Sequence, residues 1–163
     1  MNGFQHALRT PQDEKEWRAF HAIRRKVLFE NRGKNETYNE NHPDDSKPGN
    51  YPLVLVYGGD VIGVLRIDVV GSVAWLRRVA IREDMQRAGH GRVLLRLAEA
   101  FASEKECTEI QSNAAVEAVE FYERCGYERD VSGPAPVNSV AVRKSLRNVI
   151  DFLGHEDPDP QSR

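Results

Sequence analysis

Apolar and polar positions along the chain divide it into short strands and amphipathic helices. Thr10-Pro11 reads as a helix N-cap followed by proline at the first helical position, with Asp13 and Glu14 in the first turn. The helix so opened carries Trp17, Phe20, Ile23, Val27 and Leu28 and is expected to end near Glu30. A polar stretch from Asn31 to Asn50 follows, rich in Asn, Asp and Pro and too long for a plain connection. Pro52 to Tyr57 and Val61 to Val69 have strand character and are joined by Gly58-Gly59-Asp60, a hairpin signal. Gly71-Ser72 marks a second tight turn, into a strand from Val73 to Ile81. After it, Leu94, Leu97, Ala98 and Phe101 fall on one face of a helix. The remaining pattern predicts a strand near Glu109 to Ser112, a helix from about Val116 to Cys125, and strands near Tyr127 to Val131 and Val137 to Leu146. One domain over 1–153 is expected, with a frayed polar tail over 154–163, where Asp157-Pro158-Asp159-Pro160 lies.

Between the strand ending at Ile81 and the next helix lies Gln86-Arg87-Ala88-Gly89-His90-Gly91. A glycine-rich turn feeding a helix start gathers unpaired backbone N–H groups at the positive end of the helix dipole, an arrangement that holds phosphate. Two known phosphate loops do not fit. The dinucleotide fingerprint needs a third glycine where this chain has Leu94, and a P-loop needs Gly-Lys followed by Ser or Thr, which is absent.

The turn instead resembles the acetyl-CoA loop of the GCN5-related N-acetyltransferase (GNAT) family, Gln/Arg-x-x-Gly-x-Gly/Ala, with Gln86, Gly89 and Gly91 in order. A second segment, Ala118-Val119-Glu120-Phe121-Tyr122-Glu123-Arg124-Cys125-Gly126-Tyr127, is similar to the family's Ala-x-x-Phe-Tyr-x-x-x-Gly-Phe run. The resemblance covers about Leu53 to Asp130. A looser likeness, Ile23-Arg24-Arg25-Lys26-Val27 ahead of an acidic loop, extends over Ile23 to Asp45. It implies a single-domain α/β acetyltransferase fold, with a mixed, mostly antiparallel central sheet flanked by helices.

The resemblance also implies direct transfer of acetyl from acetyl-CoA, the co-substrate, to an amine acceptor in a ternary complex, without a metal. Backbone groups of Val79, Ala80 and Ile81 would pair with the pantetheine. Backbone N–H groups of Arg87, Ala88, Gly89, His90, Gly91 and Arg92, with Gln86 opening the loop, would hold the pyrophosphate, and Arg87 or Arg92 would add charge. Tyr122 aligns with the family's general acid. The family's frequent asparagine falls at Ala115 here, which makes Asn113 the substitute candidate for a hydrogen bond near the thioester. Many relatives carry a glutamate base on the strand before the loop, where this chain has Arg77 and Arg78. Carboxylates at Glu40, Asp44 and Asp45, with His42 beside them, are the alternative, and their charge points weakly to a cationic acceptor. Glu83 and Asp84 are read as shaping the loop. Absence of a clear base leaves open a non-catalytic sensor or scaffold that binds acyl-CoA.

Composition narrows the remainder. A chain of 163 residues is sufficient for one sizeable core, and a formal charge of −2 gives no electrostatic case for nucleic acid. No apolar run approaches the roughly 20 residues of a membrane helix. The start, Met1 to His6, lacks the basic and apolar regions of a secretory signal. Two cysteines, Cys107 and Cys125, fit reduced thiols, and the expected location is cytoplasmic. The acceptor, a small molecule or a protein amine, is not fixed by the sequence, and a homodimer is left open.

Overall fold

The computed structural model describes residues 5–34 and 37–146. Seven strands form one sheet in the order β1-β2-β3-β4-β5-β7-β6: β1 His6–Arg9, β2 Asn50–Tyr57, β3 Asp60–Val70, β4 Val73–Ile81, β5 Glu109–Ala115, β6 Glu128–Arg129 and β7 Ser139–Ser145. Every neighbouring pair is antiparallel except β4 and β5, which run parallel and are linked through helix α2, His90–Glu104. This is the mixed, mostly antiparallel α/β arrangement expected from the sequence.

Alternation along the strands supplies a core on each face of the sheet. Leu53, Leu55, Leu65, Ile67 and Leu76 pack with Leu94, Leu95 and Ala98 of α2 and with Val119 and Tyr122 of α3, Val119–Arg124. Val54, Val64 and Ala80 face the other way, against Phe20, Ile23, Leu28 and Phe29. Each large side chain so buried contributes about 1.5–3 kcal/mol of transfer free energy.

The structure corrects the first helix in two respects. Helix α1, Glu14–Ile23, is capped by Asp13, whose carboxylate accepts the Glu16 N–H at 2.8 Å, and not by Thr10. The earlier start is precluded because His6–Arg9 pairs with β2 as an edge strand. The helix also does not run on to Glu30 as an α-helix. From Arg24 to Phe29 it widens to π geometry, then tightens to a 3₁₀ turn over Glu30–Arg32 that ends at Gly33 (φ +71°). The buried positions explain the change. Ile23 to Leu28 and Arg24 to Phe29 are each five residues apart, and an i, i+5 turn keeps both pairs turned inward.

Elsewhere the expected elements appear with adjusted ends. The helix expected from Val116 begins as a 3₁₀ turn over Val116–Ala118, and the strand expected from Tyr127 is only two residues long. Both cysteines are free thiols. The expected tail over 154–163 lies outside the described residues. Among the described residues, no helix is long and apolar enough to cross a membrane.

Candidate active site

The site is produced by a failure of pairing. β4 and β5 are in parallel register from Val73 with Glu109 to Leu76 with Ser112, and no further. Beyond that point β4 continues against β3 alone and β5 against β7 alone, so the strands part like the arms of a V. A bulge in β4 accompanies the parting. Arg66 opposes Arg77 and Val64 opposes Ala80, which leaves Arg78 and Val79 across from Leu65, and Arg78 takes φ +56°. The free edge of β4 after Leu76 covers Val79, Ala80 and Ile81. Their side chains behave as ordinary sheet residues: Ala80 is buried toward α1, while Val79 and Ile81 pack toward α2 and α3.

The V opens into a cleft of about 780 Å³. Leu76 to Val79 form one wall, and Ser112 to Ala115 with Ala118 and Tyr122 form the other. Leu28, Phe29, Arg32, Lys34, Thr37 and His42 close the remaining side. Ser112 sits at the vertex, where its hydroxyl donates to the Leu76 carbonyl at 3.4 Å and also interacts with the Tyr122 phenol. Tyr122 is 5% exposed, yet it lines the cleft. Burial pushes its pKa above the usual value, and the Ser112 hydrogen bond opposes that shift, so the phenol is neutral at neutral pH. Asn113 and Ala115 line the cleft on the β5 arm.

The phosphate-type turn lies at the N-terminus of α2. Gly89 is the N-cap residue at φ +86°, and the first helical hydrogen bond runs from Val93 N–H to the Gly89 carbonyl, so the N–H groups before Val93 precede the ladder. Arg87 is also left-handed, at φ +61°. The two glycines have different tasks. Gly89 supplies a backbone angle, and a Cβ there would meet nothing within 4 Å, whereas a Cβ on Gly91 would meet the Phe121 ring at 3.1 Å. Gln86 donates its amide to the Ile81 carbonyl at 2.9 Å and so ties the loop to the end of β4. The His90 ring turns inward to His6, 2.9 Å away, and to Tyr57, which leaves its backbone as the part available to a ligand. Burial, then the neighbouring His90, lowers the His6 pKa. Arg87 and Arg92 are exposed, and Glu83 and Asp84 belong to a 3₁₀ turn in which Arg82 pairs with Asp84 at 2.6 Å.

A sequence profile described as "Acetyltransferase (GNAT) family" matches residues 14–127. The chain belongs to the GNAT family. Among solved structures, a protein from Lactobacillus plantarum described as a "putative N-acetyltransferase" is similar to it, with 27% identity and a TM-score of 0.73, over 89% of this chain and 99% of the other. A spermidine N-acetyltransferase chimera from Vibrio cholerae and hSSAT is similar at 16% identity and TM-score 0.70, over 93% and 99%. The PaiA N-acetyltransferase of Thermoplasma acidophilum, solved in complex with coenzyme A, is similar at 14% identity and TM-score 0.68, over 86% and 99%. No curated protein matches the sequence.

In this GNAT chain the three acidic-loop carboxylates are drawn into ion pairs, and none is among the described residues lining the cleft. Asp45 receives two hydrogen bonds from Arg24, at 2.8 and 3.0 Å, and one from Arg66 at 3.4 Å. Burial works to raise the Asp45 pKa, but the hydrogen bonds and charges of Arg24 and then Arg66 hold it below the usual carboxylate value. Asp44 lies 3.7 Å from His42 and 3.9 Å from Arg66. Glu40 pairs with Arg25, whose hydrogen bond lowers its pKa. Of that segment only His42 reaches the cleft, and its Nδ1 accepts the Asp44 N–H at 3.2 Å. Sequence reasoning missed Ser112, Phe29, Arg32 and Lys34 as parts of the site. Nothing local marks them, because the parting of β4 and β5 and the π turn bring them together.

Proposed function

We propose that the chain is an N-acetyltransferase that moves acetyl from acetyl-CoA to a primary amine by direct attack in a ternary complex. The observation that carries this reading is the parted β4–β5 edge, with Tyr122 hydrogen-bonded to Ser112 at its vertex. The exposed backbone edge at Val79, Ala80 and Ile81 suits the amide groups of pantetheine, which would add to the sheet as a short strand. The N–H groups from Arg87 to Arg92 suit the pyrophosphate, with Arg87 and Arg92 free to add charge. Asn113 faces the same opening and is proposed to hydrogen-bond near the thioester. Acetyl-CoA supplies the activated acyl group. Tyr122 holds a proton on a buried, neutral phenol and donates it to the departing thiolate, while Ser112 fixes the direction of that hydroxyl. No carboxylate base lines the cleft among the described residues, and we propose that water in the cleft takes the amine proton.

That lack of a base also supports a second reading, a binding protein of the same fold without turnover. Tyr122→Phe separates the two, since it removes one hydroxyl and keeps the ring packed against Phe121 and Tyr127, with centroids 5.7 and 5.3 Å away. An acid role predicts a fall in kcat of about 10²-fold or more, with acetyl-CoA affinity unchanged by calorimetry. Unchanged kcat, with chemistry shown to limit the rate, rules out the acid role. If the native protein binds acetyl-CoA and acetylates no amine in a broad panel, the binding-protein reading stands instead.

A further inference from the structure

The charges that line the cleft have one sign. Arg32, Lys34, Arg77 and Arg78 all border it, and no described carboxylate does. The whole chain, by contrast, has 23 basic and 25 acidic residues, so the imbalance is local. Arg77 is partly neutralised by Asp68 at 3.7 Å and rests on Trp75. Arg78, Arg32 and Lys34 form no ion pair with any described residue. The adjoining Glu36 lies outside the described residues.

Arg78 is the most informative of the three. It occupies the bulge of β4 at φ +56°, a left-handed conformation that is strained for a non-glycine residue. Its guanidinium rests over the Phe29 ring, 4.9 Å from the centroid. Although the residue as a whole is exposed, partial desolvation of its guanidinium, and then the like charges of Arg24 and Arg66, lower its pKa, and it stays protonated at any physiological pH. Bulge, stacking and crowding thus hold a cation at the opening that pairs with no described carboxylate; Asp45 acts on it only as a charge and is itself bonded to Arg24 and Arg66. The phosphates of acetyl-CoA do not account for it, because none of the residues from Gln86 to Arg92 borders this cleft.

We infer that the acceptor amine carries an anionic group, carboxylate or phosphate, received by Arg78 together with Arg32 and Lys34, which line the same cleft. This rests on the transferase reading above and reverses the cationic acceptor suggested by the acidic loop, whose carboxylates are occupied by Arg24, Arg25 and Arg66. A planar guanidinium fork held against an aromatic ring matches either oxyanion in two-point fashion.

The test uses pairs of amines that share a carbon skeleton and differ in the anionic group. CoA release would be followed with 4-aminobutyrate against butylamine, phosphoethanolamine against ethanolamine, and spermidine as a polycation. The anionic member of at least one pair is expected to have a kcat/KM at least tenfold higher, and the pair with the larger ratio tells carboxylate from phosphate. In Arg78→Gln the ratio should fall toward unity while acetyl-CoA affinity is retained, which reports an intact fold. Arg32→Gln and Lys34→Gln should lower the ratio without touching the bulge. Preference for spermidine or the neutral amines, or a ratio unchanged in Arg78→Gln, overturns the inference. A second readout needs no turnover: inorganic phosphate titrated into CoA-saturated protein should bind at least fivefold more weakly to Arg78→Gln. If no amine is acetylated but this difference is found, the transferase reading fails and the anion site stands. Equal phosphate binding by both proteins overturns the anion site as well.

Discussion

Arg24 and Arg78 rest on aromatic rings of the same N-terminal helical stretch and meet opposite fates. Arg24, over Phe20 at 4.1 Å, is 2% exposed and is met by both oxygens of Asp45. Arg78, over Phe29 at 4.9 Å, opens to the cleft and has no carboxylate among the described residues. A fully buried cation must be neutralised in place, since the desolvation cost is otherwise prohibitive. A cation at the wall of a cleft keeps enough water to persist without a partner, and so stays available to a ligand. The same residue type is structural in one place and receptive in the other, and the deciding variable is access to solvent.

The comparison breaks most sharply at Asp45. Asp45→Asn leaves the Arg24 guanidinium buried without its counter-charge and should destabilise the protein by about 3–5 kcal/mol, read as a lowered midpoint in urea. A change within experimental error would mean that Arg24 needs no neutralisation. Acid should act through the same group. Because the folded pKa of Asp45 is depressed, its contribution is fully present above the unfolded value near 4 and is lost as pH falls through the lower folded value. Urea midpoints taken downward from pH 5 should therefore decline, with a shallower slope in Asp45→Asn. The smallest effect is expected at the exposed pair Arg25–Glu40, where water screens both charges. Glu40→Gln should leave the thermal midpoint unmoved, and a clear drop would place that pair with Arg24 and not at the surface.

What could be read in the sequence followed the range of the interactions. Gln86, Gly89 and Gly91 act within one turn, and the sequence carries them as a compact pattern. The same holds for the run from Ala118 to Tyr127. Strand β1 escaped notice because four residues at a sheet edge, His6–Arg9, carry little alternation and are recruited by β2, over forty residues away. The pairing of Asp45 with Arg24 and Arg66 spans 21 residues in each direction, and no local pattern distinguishes it from a solvated acidic run. Arg78 was visible as a residue, but its direction was not. A bulge is a property of two strands in register, and the reading of β4 alone placed it simply where a base was missing.

The contact between Gly91 and Phe121 joins the two motifs into one mechanical part. The helix that begins at the phosphate-type turn and the helix that carries Tyr122 lie so close that a methyl group at Gly91 would sit 3.1 Å from the Phe121 ring and press it aside by a few tenths of an ångström. The gap between the two proposed grips on coenzyme A is thereby set by protein atoms alone and behaves as a fixed gauge. A ligand of matching length then meets its contacts already spaced and need not spend affinity on arranging them, while a shorter thioester, able to reach one end only, forfeits the other.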